Sequence, residues 1–361
     1  MKEVTKDFPI LRETTYLNTA VFGPLHNGLI TWRREYDRKN QLGGSHMWGE
    51  TLKILAATRE AIGGFFNCEE RNVALVYNFS IGLNLLLEGL DSKKKVLMLQ
   101  DDYPSLNWPF ESRGFKTKVL KGSKDIESRI EEAVRTEHID VFAFSLVQWL
   151  DGFTIDPEFI KGLKRTYPDL LIIADGTQFC GASSFDFKAS GIDVMGASGY
   201  KWMLAGYGNG FMLFGDGVED RFAVPTLGFH AANGSYDQKE AITFAQKFEP
   251  GHLSGLTFGS LGCSLSYLTH VGMDKITAYN QHLANQAKQE LAALDLLDEH
   301  VVARKTHSGI FKMKVDHTMF QKLQENGIVC SERGNGVRIS FNFYNTEADL
   351  AKLVGIIKAH G

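Results

Sequence analysis

The sequence predicts an α/β protein: a large, doubly wound, mainly parallel sheet followed by a smaller α+β C-terminal domain. Two observations carry this. Up to about residue 260, short and continuously apolar runs alternate with longer amphipathic stretches. That is the pattern of strands buried on both faces and covered by helices. From about residue 262 the texture changes to a long helical stretch, then strand, helix, strand and helix. The expected division is 15–261 for the large domain, with 1–14 and 262–361 forming the small one.

The elements follow in order. "VALVY" (73–77) reads as a buried strand, and "SIGLNLLLEGL" after it has helical spacing from Ser80. "KVLMLQ" (95–100) is a second strand. "DIESRIEEAVRTE" (125–137) is polar with Ile126, Ile130 and Val134 on one stripe, so it is a surface helix. "DVFAFSLV" (140–147) is a strand. "DPEFIKGLKRTY" (156–167) opens with Asp156 as N-cap and Pro157 in the first turn, a strong helix start. "LLIIAD" (170–175) and "FMLFG" (211–215) complete the large sheet. In the small domain, "DKITAYNQHLANQAKQELAALDLL" is a long helix with Ile276, Tyr279, His282, Leu283, Gln286, Glu290, Leu291 and Leu294 along one face. "GIFKMKV" and "GVRISFNF" are strand-like, and "HTMFQKLQENG" and "TEADLAKLVGIIKAHG" are helical.

Composition narrows the function. There are 39 basic and 43 acidic residues, a net charge of −4, which makes no strong field. Nucleic acid and anionic membrane are therefore poor partners. No run approaches the ~18 apolar residues that a membrane helix needs. Cys68, Cys180, Cys263 and Cys330 are scattered, with no CxxC redox or zinc spacing. Few cysteines and no apolar leader point to a cytoplasmic chain. Asn78-Phe79-Ser80 and Asn233-Gly234-Ser235 match the glycosylation pattern and carry no weight without a secretory signal. The eleven histidines form no HExxH or zinc pair, and there is no GxSxG elbow and no GxxxxGK[ST] loop.

Ligands of a doubly wound sheet sit beyond the carboxyl ends of its strands, so candidates should follow the apolar runs. Asp175 ends "LLIIA"; it is either a turn cap or a buried carboxylate with a functional partner. Ser80 stands near a helix start, where free N–H groups suit a phosphate, or it is only an N-cap. Tyr103 in "DDYPSLNWPF" offers a flat face to a planar ligand, or is ordinary core. "GYGNG" (206–210) is read as a turn before the "FMLFG" strand. Lys201 in "SGYKWML" is a lysine among small and apolar neighbours, either a surface amine or one held in a pocket.

Together these suit one planar, phosphorylated ligand with a ring nitrogen and an aldehyde: pyridoxal 5'-phosphate. The order "YLNTAVFGP", "NFSIGLN", "DDYPSLNWPF", "SLVQWLDG", "ADGTQ", "SGYKWML", "FEPGHLSG" and "VRISFNFYNT" resembles the class V aminotransferase family. That family includes cysteine desulfurases and kynureninases and has the type I pyridoxal phosphate fold. The resemblance runs from about residue 8 to about 357, and "ADGTQ" followed by "SGYK" is its most specific part. It implies that Lys201 is the Schiff-base lysine, beside which small residues let the stem approach the cofactor. It implies that Asp175 pairs with the pyridine nitrogen, keeping it protonated so that the ring accepts electrons. Gln178 and Gln148 correspond to residues near the ring hydroxyl, and Tyr103 to the ring-stacking aromatic. Phe79 through its backbone, Ser80, Ser198 and Tyr200 correspond to phosphate contacts. Arg338 corresponds to the arginine that binds the substrate carboxylate in a bidentate fork; without the resemblance it reads as a structural ion pair. The resemblance also implies a homodimer with shared active sites, in which the segment near 251–258 completes the neighbour's phosphate pocket.

Three departures stand out. Gly251-His252 replaces the common "GT", so His252 takes the place of a threonine that reaches the neighbour's phosphate. Desulfurases carry a loop with a nucleophilic cysteine before the "R-x-S" segment; here only "GNGV" lies between Arg333 and Arg338, and Cys330 just upstream is the only candidate, otherwise read as a small residue at a strand end, which counts against sulfur transfer. Asn18, grouped with Arg338 as a substrate-side residue, replaces the aspartate of "YLDNAA". The expected activity is a pyridoxal phosphate enzyme acting on an amino acid, with aminotransferase chemistry first. Cysteine or selenocysteine lyase chemistry is second, and epimerase or kynureninase-like chemistry follows. A catalytically silent cofactor-binding relative is the reading of another class.

Overall fold

The computed structural model describes residues 1, 3–232 and 234–360, so Asn233 of the second glycosylation pattern lies outside them. Twelve strands are formed by the described residues: β1 (Thr15–Tyr16), β2 (Val73–Val76), β3 (Lys95–Leu99), β4 (Lys116–Leu120), β5 (Val141–Ser145), β6 (Leu171–Asp175), β7 (Val194–Ser198), β8 (Gly210–Phe214), β9 (Ile310–Met313), β10 (Ile328–Val329), β11 (Ser331–Arg333) and β12 (Gly336–Ser340). Seven of them make one sheet in the order β2-β8-β7-β6-β5-β3-β4. β4, β3, β5, β6 and β7 run parallel, and β8 is antiparallel to both its neighbours. The expected large, mainly parallel sheet is therefore present.

Both faces of this sheet are buried because its inner strands are apolar or small at nearly every position. In β5, Phe142 and Phe144 stack with ring centroids 4.6 Å apart on one face, while Val141 and Ala143 pack on the other. Each large side chain so buried contributes about 1.5–3 kcal/mol. Two strands escape an apolar-run search. β4 is an edge strand with mostly exposed side chains, and β7 ("VMGAS") is built of small residues.

The helix after β2 spans Phe79–Leu87, and its N-cap is Asn78, whose side chain accepts from the N–H of Ile81. This corrects the reading of a helix starting at Ser80. The Asn78 amide reaches the third N–H from an extended backbone, which places Ser80 inside the first turn. Asp156 does cap the Pro157–Thr166 helix, accepting from Glu158 N.

In the C-terminal part, β11, β12 and β9 form an antiparallel sheet. One face, with Phe311, Met313, Val337 and Ile339, packs on the helices Met273–Ala293, His317–Glu325 and Glu347–His360. The buried stripe of the long helix is Ile276, Leu283, Ala284, Ala287 and Leu291; His282 and Glu290 are exposed rather than on the packed face. The N-terminal segment joins this part: β1 pairs in parallel with β10, and Asn18 bridges Ser340.

Candidate active site

The carboxyl ends of β2, β3, β5, β6 and β7 converge on one buried polar cluster. The reversal of direction between β7 and β8 holds Lys201, in a connection pinned at several points. Gly23 N donates to Tyr200 O (2.9 Å), Gly199 N to Asn209 O (2.9 Å) and Leu204 N to Lys201 O (3.1 Å). A Cβ on Gly199 would lie 2.1 Å from Asn209 Oδ1, so the absence of a side chain two residues before Lys201 is required by packing against the buried Asn209 side chain. Trp202, Met203 and Leu204 are buried below it, and Trp202 Nε1 donates to Gln178 Oε1 (2.8 Å).

Lys201 is 5% exposed, and its Nζ has no hydrogen-bond partner among the described residues. It lies 5.3 Å from the Tyr103 ring centre and 5.5 Å from that of Tyr200. Burial lowers its proton affinity to a pKa of about 8; the Asp175 carboxylate opposes this, and the charges of Arg338 and Arg333 add to it. Asp175 is the last residue of β6, buried, and its Oδ1 accepts from Thr177 N (2.8 Å). Burial pushes its carboxyl up to about 6, against the hydrogen bonds of Thr177 and the charge of Lys201.

Arg338, on β12, is 2% exposed. Its Nη1 donates to Trp149 O (2.6 Å), its guanidinium lies 5.8 Å from the Trp149 ring centre, and its Nε has no partner among the described residues. No carboxylate pairs with it among those residues, so it is not the structural ion pair that the sequence left open. Burial lowers its pKa to about 10, and the charge of Arg333 adds to that. Trp149 in turn meets Tyr103 edge-on at 5.7 Å, which links Lys201, Tyr103, Trp149 and Arg338 into one chain of contacts.

The remaining candidates divide. Ser198 and Phe79 are brought together, with Phe79 N donating to Ser198 Oγ (3.0 Å); Ser80 forms no side-chain hydrogen bond among the described residues. Tyr200 packs on Tyr207 at 4.6 Å, and its hydroxyl has no hydrogen-bond partner among those residues. Asn18 Oδ1 is buried and unpartnered. Gln178 is engaged at both ends, donating to Ala20 O (3.0 Å) and accepting from Trp202, which leaves one N–H free. Gln148 accepts from Trp149 N (3.0 Å) and borders a cavity of about 640 Å³ that also meets Asp101, Asp151 and Lys312 but not Lys201. His252 is exposed against Trp48 (4.7 Å), away from the lysine.

Sequence reading missed Asp102, Trp149, Thr177 and Arg333. Asp102 is buried and accepts from Ser145 N (2.8 Å), Ser145 Oγ (2.5 Å) and Tyr103 N (2.7 Å), so it anchors the Tyr103 backbone to β5. The available signal was its place just after an apolar run, the same signal that marks Asp175. Cys330 lies in the apolar core of the small sheet, and burial pushes its thiol up to about 12. The other three thiols are also held above the ordinary range by burial.

Residues 29–353 match the family description "Aminotransferase class-V". The chain belongs to the class-V aminotransferase family. A probable cysteine desulfurase of Methanothermobacter thermautotrophicus is 23% identical, over 98% of this chain and 96% of that protein. An uncharacterized aminotransferase of Bacillus subtilis is 21% identical over the same shares. Among solved structures, a cysteine desulfurase of Thermococcus onnurineus NA1 superposes with a TM-score of 0.87 at 18% identity, covering 99% of this chain and 97% of that one. The cystine C-S lyase C-DES, solved with its product cysteine persulfide, gives 0.85 at 17% identity, covering 96% and 98%. These likenesses bear out the α/β class and the type I fold. Within this class-V chain, no helix of the described residues is long and apolar enough to cross a membrane.

Proposed function

We propose that this class-V chain is a pyridoxal 5'-phosphate enzyme acting on an amino acid, an aminotransferase first and a carbon–sulfur lyase second. The observation that carries the reading is a buried amine, Lys201, that among the described residues has no hydrogen-bond partner, sharing one cluster with a buried carboxylate and a buried arginine that has no carboxylate among those residues. Unpaired buried charge is costly, so these groups are kept for ligands. The residues fit the cofactor. Lys201 would hold its aldehyde, Asp175 its ring nitrogen and Tyr103 its ring face, while Ser80, Ser198 and the first turn of the Phe79–Leu87 helix would hold its phosphate. When bound, the group supplies an aldehyde that captures the substrate amine and a protonated ring that draws electrons from Cα.

The chain's own residues do the rest. Arg338 binds and orients the α-carboxylate through its free guanidinium edge, with Asn18 bridged to Ser340, two residues further along β12. Asp175 holds a proton on the ring partner. Lys201 Nζ, weakened as a base by burial, moves a proton at the substrate. The lyase reading is supported by the names of the desulfurase relatives and of C-DES. A relay through a protein cysteine is not part of it, because Cys330 is a buried thiol. The homodimer belongs to this proposal; exposed Trp48 and Tyr77, both touching His252, form an apolar patch suited to a second copy.

The test is borohydride reduction of the protein with the cofactor, peptide mapping, and single-turnover reactions with a panel of amino acids. A reduced adduct on Lys201 and formation of the matching 2-oxo acid support the aminotransferase. Pyruvate with sulfide from cysteine moves the lyase to first place. An adduct on another lysine rejects the assignment.

A further inference from the structure

Resting on the reading above, we infer that Arg333 is a specificity-determining residue that binds a second anionic group on the substrate, so that the substrate class is acidic amino acids. The argument begins with register. Ser331 faces Arg338 across β11 and β12, Arg333 faces Gly336, and Lys312 of β9 faces Arg338 from the other side. Cross-strand partners share a face, and residues two apart on one strand share it too. Arg333, Ser331, Arg338 and Lys312 therefore lie on one face, opposite the apolar face of Val337 and Ile339. That is the face from which Arg338 enters the cluster with Trp149, Tyr103 and Lys201.

Charge on this face is uneven. Lys312 is paired with Asp298 (3.4 Å). Arg338 and Arg333 have no carboxylate among the described residues; the side-chain hydrogen bond of Arg333 goes to Glu332 O (2.8 Å). Glu332 itself points to the other side and pairs with His317 (2.9 Å). Two guanidinium groups held together without a counter-charge among the described residues repel, and Ser331 Oγ, directly opposite Arg338, is a buried hydroxyl without a partner among them. One α-carboxylate answers Arg338 only. Diagonal cross-strand neighbours stand about 7–8 Å apart, a spacing that two flexible arginine arms close onto two anionic groups separated by a short carbon chain.

The hairpin holds Arg333 in place. Gly334 and Asn335 form a two-residue turn in which Gly334 has φ 60°, as a tight II′ turn requires. No mobile loop intervenes between the two arginines.

The experiment titrates the cofactor-loaded protein with aspartate against asparagine and glutamate against glutamine, following the cofactor's absorbance, in wild type, Arg333→Gln and Arg333→Lys. We expect one acid to bind about 10- to 100-fold more tightly than its amide in wild type, a ratio that collapses in Arg333→Gln and is partly restored in Arg333→Lys. Equal binding of acid and amide in wild type, or a preference that survives Arg333→Gln, overturns the role of Arg333 alone. A loaded protein whose spectrum no amino acid perturbs, or a protein that takes no cofactor, overturns the reading of the site and this inference with it.

Discussion

The lowered proton affinity of Lys201 gives a quantitative test of the site. With a pKa of about 8, roughly one amine in eleven is neutral at pH 7, against about one in 2,500 for an ordinary lysine at ~10.4. Only the neutral amine attacks an aldehyde, so the rate of cofactor uptake by the stripped protein should follow the neutral fraction. Raising the pH from 7 to 8 should speed uptake about fivefold, and all further increases beyond pH 8 should add at most about another twofold. An N-acetyl-lysine control should keep rising about tenfold per pH unit through this range. The assay is stopped-flow absorbance at constant ionic strength. The signs for neighbouring groups follow from their charges. Asp175→Asn removes a charge that favours the ammonium, so the plateau should move to lower pH. Arg333→Gln removes a charge that disfavours it, so the plateau should move to higher pH. Uptake that keeps climbing tenfold per unit past pH 9 would refute the claim that Lys201 is desolvated.

The remaining predictions are briefer. Arg338→Gln should weaken binding of every α-amino acid, acid and amide alike, by about 10- to 100-fold, because the lost contact is to the shared carboxylate; absorbance titration checks it. Cys330→Ala should leave any sulfide release from cysteine intact while costing about 1 kcal/mol in urea unfolding, since the thiol is core packing. Loss of sulfide release in that variant would restore the cysteine relay. Gly199→Ala should cost about 2 kcal/mol and slow cofactor uptake, because a Cβ there meets the buried Asn209 Oδ1 at 2.1 Å and must displace that side chain in the connection that holds Lys201.

What was legible in the sequence was whatever depends on chain-local pattern. Continuous apolar runs gave away the buried strands, and their carboxyl ends located Asp175, Ser80 and Tyr103. The direction of β8 was not legible, because "FMLFG" is equally apolar run forwards or backwards; only the tight turn at Gly206 and Gly208, both with positive φ, sends it back. The cap is not legible in "YNFS", since both Asn78 and Ser80 have capping side chains and only the extended backbone at Asn78 selects it. The hydrogen bonds that engage Gln178 are not legible, because its partners, Ala20 and Trp202, are remote or indistinct in sequence. The role of Arg333 is not legible either, since which face it occupies is set by the pairing register of the hairpin.

The hairpin between β11 and β12 also bears on which chemistry the chain can run. Sulfur transfer through the protein needs a thiolate that can reach the substrate, hence a low proton affinity and a mobile tether. Here the tether is a two-residue turn, and each of the four thiols is pushed up by burial, Cys330 to about 12. At pH 7 a thiol with that pKa is ionised about once in 100,000 molecules. The place a cysteine loop would occupy instead presents a guanidinium, which binds anions and accepts no sulfur. A lyase on this framework would therefore have to release its sulfur product to solution or onto a small thiol, whereas transamination asks nothing of the hairpin except that it hold the substrate. That difference favours the transaminase ranking, and it makes the fate of the sulfur atom, rather than the mere appearance of pyruvate, the measurement that separates the two.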